Sequence, residues 1–162
     1  MNKKIRIAVL VSGNGTNLQA LINAQKNKII KSGKIELVIS NNSNAFALKR
    51  AEKSKIPFEI ISKKECKKIE EFEKKLKEIL KSYKIELIVL AGFMSVLSKN
   101  FVKDYPKRII NIHPSLIPSF CGKNFYGIKV HEEAIKRGVK ITGATTHFVN
   151  EIVDGGEIIM QK

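Results

Sequence analysis

Residues 4–17, KIRIAVLVSGNGTN, carry the signature that decides the fold. Ile5 to Val11 is a short, almost wholly apolar run, as a strand covered on both faces must be. Ser12-Gly13-Asn14-Gly15-Thr16-Asn17 follows at once. Two glycines let the backbone turn sharply and expose consecutive N–H groups, and the helix predicted behind them adds its positive end. An apolar strand running through such a turn into a helix is the opening unit of a parallel α/β sheet. The loop is neither a P-loop nor a full G-x-G-x-x-G fingerprint, because Leu18 stands at the third glycine position. A turn of this kind serves structure about as often as function. If it binds, its expected place on the same sheet edge as Asn111 and His113 favours a small phosphorylated ligand over a whole dinucleotide.

The rest of the chain repeats that alternation. Helical periodicity is read over residues 17–30, 45–54, 64–83, 99–104 and 131–137, and strands over 35–40, 57–61, 85–91, 108–112, 143–149 and 157–161. In the long helix Ile69, Phe72, Leu76, Ile79 and Leu80 form one stripe among lysines and glutamates. The pattern predicts a doubly wound α/β fold with a mostly parallel, Rossmann-like sheet and a ligand crevice at the carboxyl ends of its strands. No repeat or low-complexity linker interrupts it, and 162 residues suit one domain with a sizeable core.

Hydrophobic residues at 43% and charged residues at 28% are the proportions of a soluble globular protein. No window approaches the ~18 apolar residues of a membrane span. The basic start MNKK is not followed by a cleavage-site pattern, so a cytoplasmic protein without membrane association is expected. Cys66 and Cys121 have neither metal-ligand spacing nor a disulfide framework, and no metal is expected. A net charge of +15 invites a nucleic-acid partner, but the lysines are scattered, with no aromatic interleaving and no recognition motif. No nucleic-acid partner is expected. Such a basic field would instead attract anionic small molecules.

Chemistry is concentrated in Ile110-Asn111-Ile112-His113-Pro114-Ser115-Leu116-Ile117-Pro118 and, downstream, Val153-Asp154-Gly155-Gly156. Asn111 and His113 stand two residues apart on an extended segment and so share one face. Pro114 and Pro118 stiffen its exit. An amide that can donate to a developing oxyanion, an imidazole that can carry a proton and a carboxylate that can orient it are the parts of an acyl transfer to an amine. An isolated N-x-H beside prolines is more often a turn cap, and only the remainder of the chain overturns that interpretation.

With those elements in place, the chain closely resembles the phosphoribosylglycinamide formyltransferases. The matching pieces are SGNGTN (12–17), SNNSNAFALKRA (40–51), LAGFM (90–94), NIHPSLIPSF (111–120), YGIKVHEEAI (126–135), GATTHFVNE (143–151) and DGGEIIMQ (154–161), in the family's order. The resemblance implies one formyltransferase domain over residues 1–162, with a phosphate-binding half at about 1–90 and a folate and catalytic half at about 91–162. It implies 10-formyltetrahydrofolate as co-substrate and glycinamide ribonucleotide as acceptor, in a monomer or homodimer. Gly15, Thr16 and Asn17 would hold the substrate phosphate. Met94, Ser95, Val96 and Leu97, together with Asn111, would border the folate. Asn111, His113 and Asp154 would be the catalytic set, with Asn111 and protonated His113 stabilising the oxyanion. A cis Ile117–Pro118 bond is also implied.

Departures accompany the match. Ser95 stands where most members carry a basic residue. A basic residue ahead of the long helix, expected to reach the folate tail, has only Lys67 or Lys68 as loosely aligned candidates. A further strand and a C-terminal helix, usual after the DGG strand, are expected to be absent. That leaves a truncated, non-catalytic folate- or nucleotide-binding module as one alternative. A second is formyltetrahydrofolate deformylase, in which water replaces the amine, although SGNGTN so near the start predicts a phosphorylated co-substrate. Methionyl-tRNA formyltransferase would need another domain. A zinc hydrolase using His113, His131, His147 and Asp154 lacks paired i,i+4 histidines. His131 and His147 are expected to be structural.

Overall fold

The structure is a computed structural model that describes residues 3–62, 65–66 and 68–162. The chain divides into two compact units, residues 1–97 and 98–162. Met94 to Leu97 therefore belong to the first unit, with the glycine-rich loop.

In the first unit the order along the chain is β1 (Ile5–Val11), α1 (Thr16–Lys26), β2 (Gly33–Ser40), α2 (Phe46–Lys53), β3 (Phe58–Ile60), α3 (Ile69–Ser82) and β4 (Leu87–Leu90). Strand β1 pairs in parallel with β2 on one side and β4 on the other, and β3 joins the free edge of β2, again in parallel. Its central position explains the apolar opening run, since Ala8, Val9, Leu10 and Val11 are wholly buried. Leu18 and Ile22 of α1, and Phe72, Leu76 and Leu80 of α3, pack as the helical stripes predict. Burying each such Leu, Ile or Phe contributes about 1.5–3 kcal/mol.

Helices α1, α2 and α3 all end in the same way. Lys28, Lys55 and Lys84 take φ of 57°, 55° and 52° just beyond the last turn. The next N–H, from Ile29, Ile56 and Ile85, then bonds back to the carbonyls of Ala24, Ala51 and Leu80 at 2.9–3.0 Å. These are Schellman closures with lysine in the left-handed position that glycine usually fills. Helix α1 therefore stops at Lys26 rather than at residue 30 as its periodicity predicts, closed by Lys28 at a position that no glycine marks in the sequence. Of the expected long helix, residues 64 and 67 lie outside the described residues, and the helix observed starts at Ile69.

The second unit runs α4 (Lys99–Lys103), β5 (Ile109–His113), α5 (Ile128–Arg137), β6 (Thr145–Phe148) and β7 (Ile158–Gln161). Here the pairing is antiparallel, β5 with β6 and β6 with β7, so the parallel order holds for the first unit and the antiparallel strands are confined to this one. Register places Asn111 opposite His147 and His113 opposite Thr145. The β6–β7 register shifts between Thr146 and His147, an irregularity that locally re-aims side chains. The Ile117–Pro118 bond is cis, as the resemblance implies. Among the described residues no helix is long and apolar enough to cross a membrane.

Candidate active site

Strand β5 delivers Asn111 and His113 to one face, and β6 contributes the residues directly opposite them. Asp154 arrives from the turn between β6 and β7 with φ of 54°, a left-handed conformation that costs energy in a non-glycine residue and that clusters at functional positions. Its Oδ2 lies 3.4 Å from His113 Nδ1 and accepts from the Gly122 N–H at 2.9 Å. Its Oδ1 lies 3.5 Å from the Asn111 amide nitrogen and 3.7 Å from His147 Nε2. The carboxylate thus gathers Asn111, His113, His147 and the Gly122 backbone into one cluster.

Electrostatics follow from those contacts. His113 and Asp154 side chains are only 5% and 9% exposed, so each charge depends on the other for solvation. Burial pushes the Asp154 carboxyl up, but the proximity of His147, the Gly122 N–H and the His113 charge outweigh it and hold the carboxyl below its ordinary value of 3.8. The other ring nitrogen of His113, Nε2, lies 2.8 Å from the Phe120 carbonyl oxygen. A carbonyl only accepts, so Nε2 carries a proton, and Nδ1 facing a carboxylate is best satisfied by a second one. Both ring nitrogens of His113 therefore face acceptors, an arrangement that donation from both of them satisfies.

The loop after β5 is held by its own hydroxyls. Thr145 Oγ1 donates to the Ser115 carbonyl at 2.7 Å and accepts from the Ile117 N–H at 3.0 Å, while Ser115 Oγ donates to the Ser119 carbonyl at 2.5 Å. Phe120, at φ of 50°, turns its carbonyl onto His113. Cys121 lies close enough to Asp154 that the carboxylate adds to burial in pushing its thiol up.

In the first unit, Gly15 is the N-cap of helix α1, with φ of 76° and no side-chain capping bond. The N–H groups of Gly15, Thr16 and Asn17 are the orphan donors of a first helical turn. The loop is tied to α2: Arg50 donates to the Asn14 carbonyl at 2.9 Å and to Asn14 Oδ1 at 2.8 Å, and Ala47 N–H reaches the Gly13 carbonyl at 3.1 Å. Ser12 Oγ accepts from the Met94 N–H at 2.8 Å. Ser95 is buried, its hydroxyl accepting from the Asn41 amide at 2.8 Å. What residues 94–97 present outward is therefore the exposed Met94 and Val96 side chains.

The structure brings Asn111, His113 and Asp154 together within the second unit. It adds the backbone groups of Phe120 and Gly122, which the sequence does not single out, and it places the buried His147, weighed in the sequence as structural or as a zinc ligand, beside Asn111. The backbone groups leave no side-chain signal, and His147 becomes visible only once register pairs it with Asn111. His131 lies exposed on α5. Among the described residues no group of three or more His, Cys, Asp or Glu is arranged to hold a metal ion. Lys68 is the N-cap of α3, and Lys67 lies outside the described residues.

Known proteins align with this arrangement along nearly the whole chain. The chain is 45% identical over 98% of its length to the trifunctional purine biosynthetic protein adenosine-3 of Gallus gallus, of which it spans only 15%. It is 42% identical over 96% of its length to the phosphoribosylglycinamide formyltransferase of Haemophilus influenzae, and spans 71% of that protein. The crystal structure of glycinamide ribonucleotide transformylase 1 from Symbiobacterium toebii superposes with a TM-score of 0.90 at 37% identity, covering 98% of this chain and 72% of the other. The family model described as formyl transferase matches residues 5–162, and the chain belongs to that family.

Proposed function

We propose that the protein transfers the formyl group of 10-formyltetrahydrofolate to the amine of glycinamide ribonucleotide, a step of purine biosynthesis, in the cytoplasm. The observation that carries this reading is the buried Asp154 carboxylate within 3.4–3.5 Å of both His113 and Asn111. A bare phosphate-binding fold has no use for that set. Relatives named for this activity support the choice of acceptor and donor.

In the proposed reaction the amine nitrogen attacks the formyl carbon, a C–N bond forms, and the carbonyl oxygen becomes an oxyanion. The positive charge on His113 lowers the energy of that oxyanion, and Asp154 keeps the charge in place. Collapse breaks the bond to the folate nitrogen, which leaves with a proton passed through the His113–Asp154 pair. The orphan N–H groups of Gly15, Thr16 and Asn17 would bind the phosphate. Met94 to Leu97 would border the folate, with Met94 and Val96 as its apolar contacts, and Asn111 would act at the reacting centre.

Product analysis with and without glycinamide ribonucleotide tests the proposal. Formyl-glycinamide ribonucleotide formed only when the acceptor is present supports it. Formate released equally in both cases would make the protein a deformylase, and folate binding without either product would make it a binding module.

A further inference from the structure

We propose that Ser12 is a positioning residue, whose hydroxyl ties the loop that receives the phosphate to the loop that borders the folate and so makes the two substrates bind cooperatively. This rests on the formyl-transfer reading and gives a task to a residue outside the expected binding set.

Topology brings the two loops together. Strands β1 and β4 are parallel neighbours, so both leave the sheet at the same edge, where the Ala91 N–H donates to the Leu10 carbonyl at 2.9 Å. Ser12 is the first residue beyond β1 and opens the glycine-rich loop. On the other side Gly92, at φ of 71°, lets the chain turn away beyond β4. Two residues later the Met94 N–H donates to Ser12 Oγ at 2.8 Å, across 82 residues of sequence. The roles in this bond are fixed, because a backbone N–H only donates.

The two ends of that bond differ in how firmly they are held. Arg50 and Ala47 hold Asn14 and Gly13 against α2, which makes the glycine-rich loop one piece from Ser12 to the first turn of α1. Beyond β4, by contrast, Gly92, Met94 and Val96 are exposed, and few buried contacts fix that segment. An anion on the N–H groups of Gly15, Thr16 and Asn17 immobilises the loop, and Ser12 Oγ passes that order to Met94. The folate then meets a border already in place and loses less freedom in ordering it. By linkage, a bound folate must strengthen the hold on the phosphate by the same factor. Ser12 acts only through Met94.

Two measurements on the full chain test this. In calorimetry, the affinity for a deazafolate should rise about 5-fold or more when inorganic phosphate is added at constant ionic strength, the lower end of the usual range for coupled sites. Ser12→Ala should remove that dependence, and Ser12→Thr, which keeps the hydroxyl, should restore it. Ser12 is half-buried and Met94 exposed, so in the Ala variant water can take the freed N–H. A merely structural serine would weaken deazafolate binding equally with and without phosphate. In 1H–15N NMR, titration with inorganic phosphate should shift the amides of Gly15, Thr16, Asn17 and Met94 in the unaltered protein, and only the first three in Ser12→Ala. Deazafolate affinity indifferent to phosphate would overturn the proposal, as would an Ala variant that keeps the dependence or a Met94 amide that stays still while the loop amides move. Phosphate that moves none of the loop amides would overturn it as well, together with the phosphate assignment. If no deazafolate binds, it is the preceding functional reading that fails, and the Met94 response still decides whether the loops are coupled. If the Ala variant does not fold, both measurements on the unaltered protein remain decisive.

Discussion

At the scale of single residues, the site is a small number of charges kept out of water by one another. His113→Ala should lower formyl transfer by roughly two or more orders of magnitude, the cost of losing a positioned proton-transfer group, and Asp154→Asn should do the same by removing its orienting charge. Binding of a folate analogue should change far less, and near-normal turnover in either variant would dismiss the proposed roles. Asp154 also ties the site to stability. Its folded-state carboxyl titrates below its ordinary value of 3.8, so the charged form is favoured by folding. That contribution is complete above the ordinary value and is lost as pH falls below it, through the lower folded value. Urea unfolding should therefore show Asp154→Asn less stable than the unaltered protein at pH 6, with the gap narrowing at pH 3. A gap that widens on acidification would mean that the carboxylate is not favoured by its surroundings. Asn111 and His113 are legible in the sequence because i and i+2 on a strand share a face. His147 is not, because 36 residues separate it from Asn111 and only the β5–β6 register makes them neighbours.

Elements are legible where period and composition agree, and illegible where an end depends on a backbone conformation its residue does not advertise. The apolar run of β1 and the stripe of α3 declare themselves through burial. The end of α1 does not, while α2 and α3 stop within a residue of the expected 54 and 83; Lys28, Lys55 and Lys84, just beyond the three helices, occupy left-handed positions that a lysine adopts at a cost of roughly 1–2 kcal/mol. Glycine would avoid that cost while losing more entropy on folding. Replacing Lys84 with Gly should therefore stabilise the protein by about 0.5–1 kcal/mol, with Lys28→Gly and Lys55→Gly similar. The opposite is expected at Gly15, also left-handed, where an added Cβ would sit 2.6 Å from the Ala47 Cβ. Gly15→Ala should destabilise by about 1–3 kcal/mol, because backbone strain and the α1–α2 contact act together. Chemical denaturation midpoints check both signs. A Lys84→Gly variant less stable than the unaltered protein would show that the αL penalty is already offset there by side-chain packing.

Across the whole molecule the dominant property is the net charge of +15, which no single motif explains. Exposed ion pairs such as Lys3–Glu86, Lys34–Glu36 and Lys107–Glu157 consume some of the acidic residues locally and leave the lysine excess unbalanced. Proposed substrates that carry a phosphate and a glutamate tail are both anionic, so a basic surface raises their local concentration before any specific contact forms. Screening should remove that advantage, since the Debye length shrinks from about 10 Å at 0.1 M salt to about 3 Å at 1 M. The expected outcome is a fall in kcat/KM for glycinamide ribonucleotide on the order of 10-fold over that range. The kcat should stay nearly constant, because the His113–Asp154 pair is buried and little screened. A polyglutamylated folate should be more salt-sensitive than its monoglutamate, each added carboxylate deepening the attraction. Stability should move the other way, rising with salt as repulsion among like charges is damped. If kcat falls with salt while kcat/KM stays flat, the charge acts on the chemistry rather than on encounter, and the basic excess would have to be traced to residues beside the reacting centre.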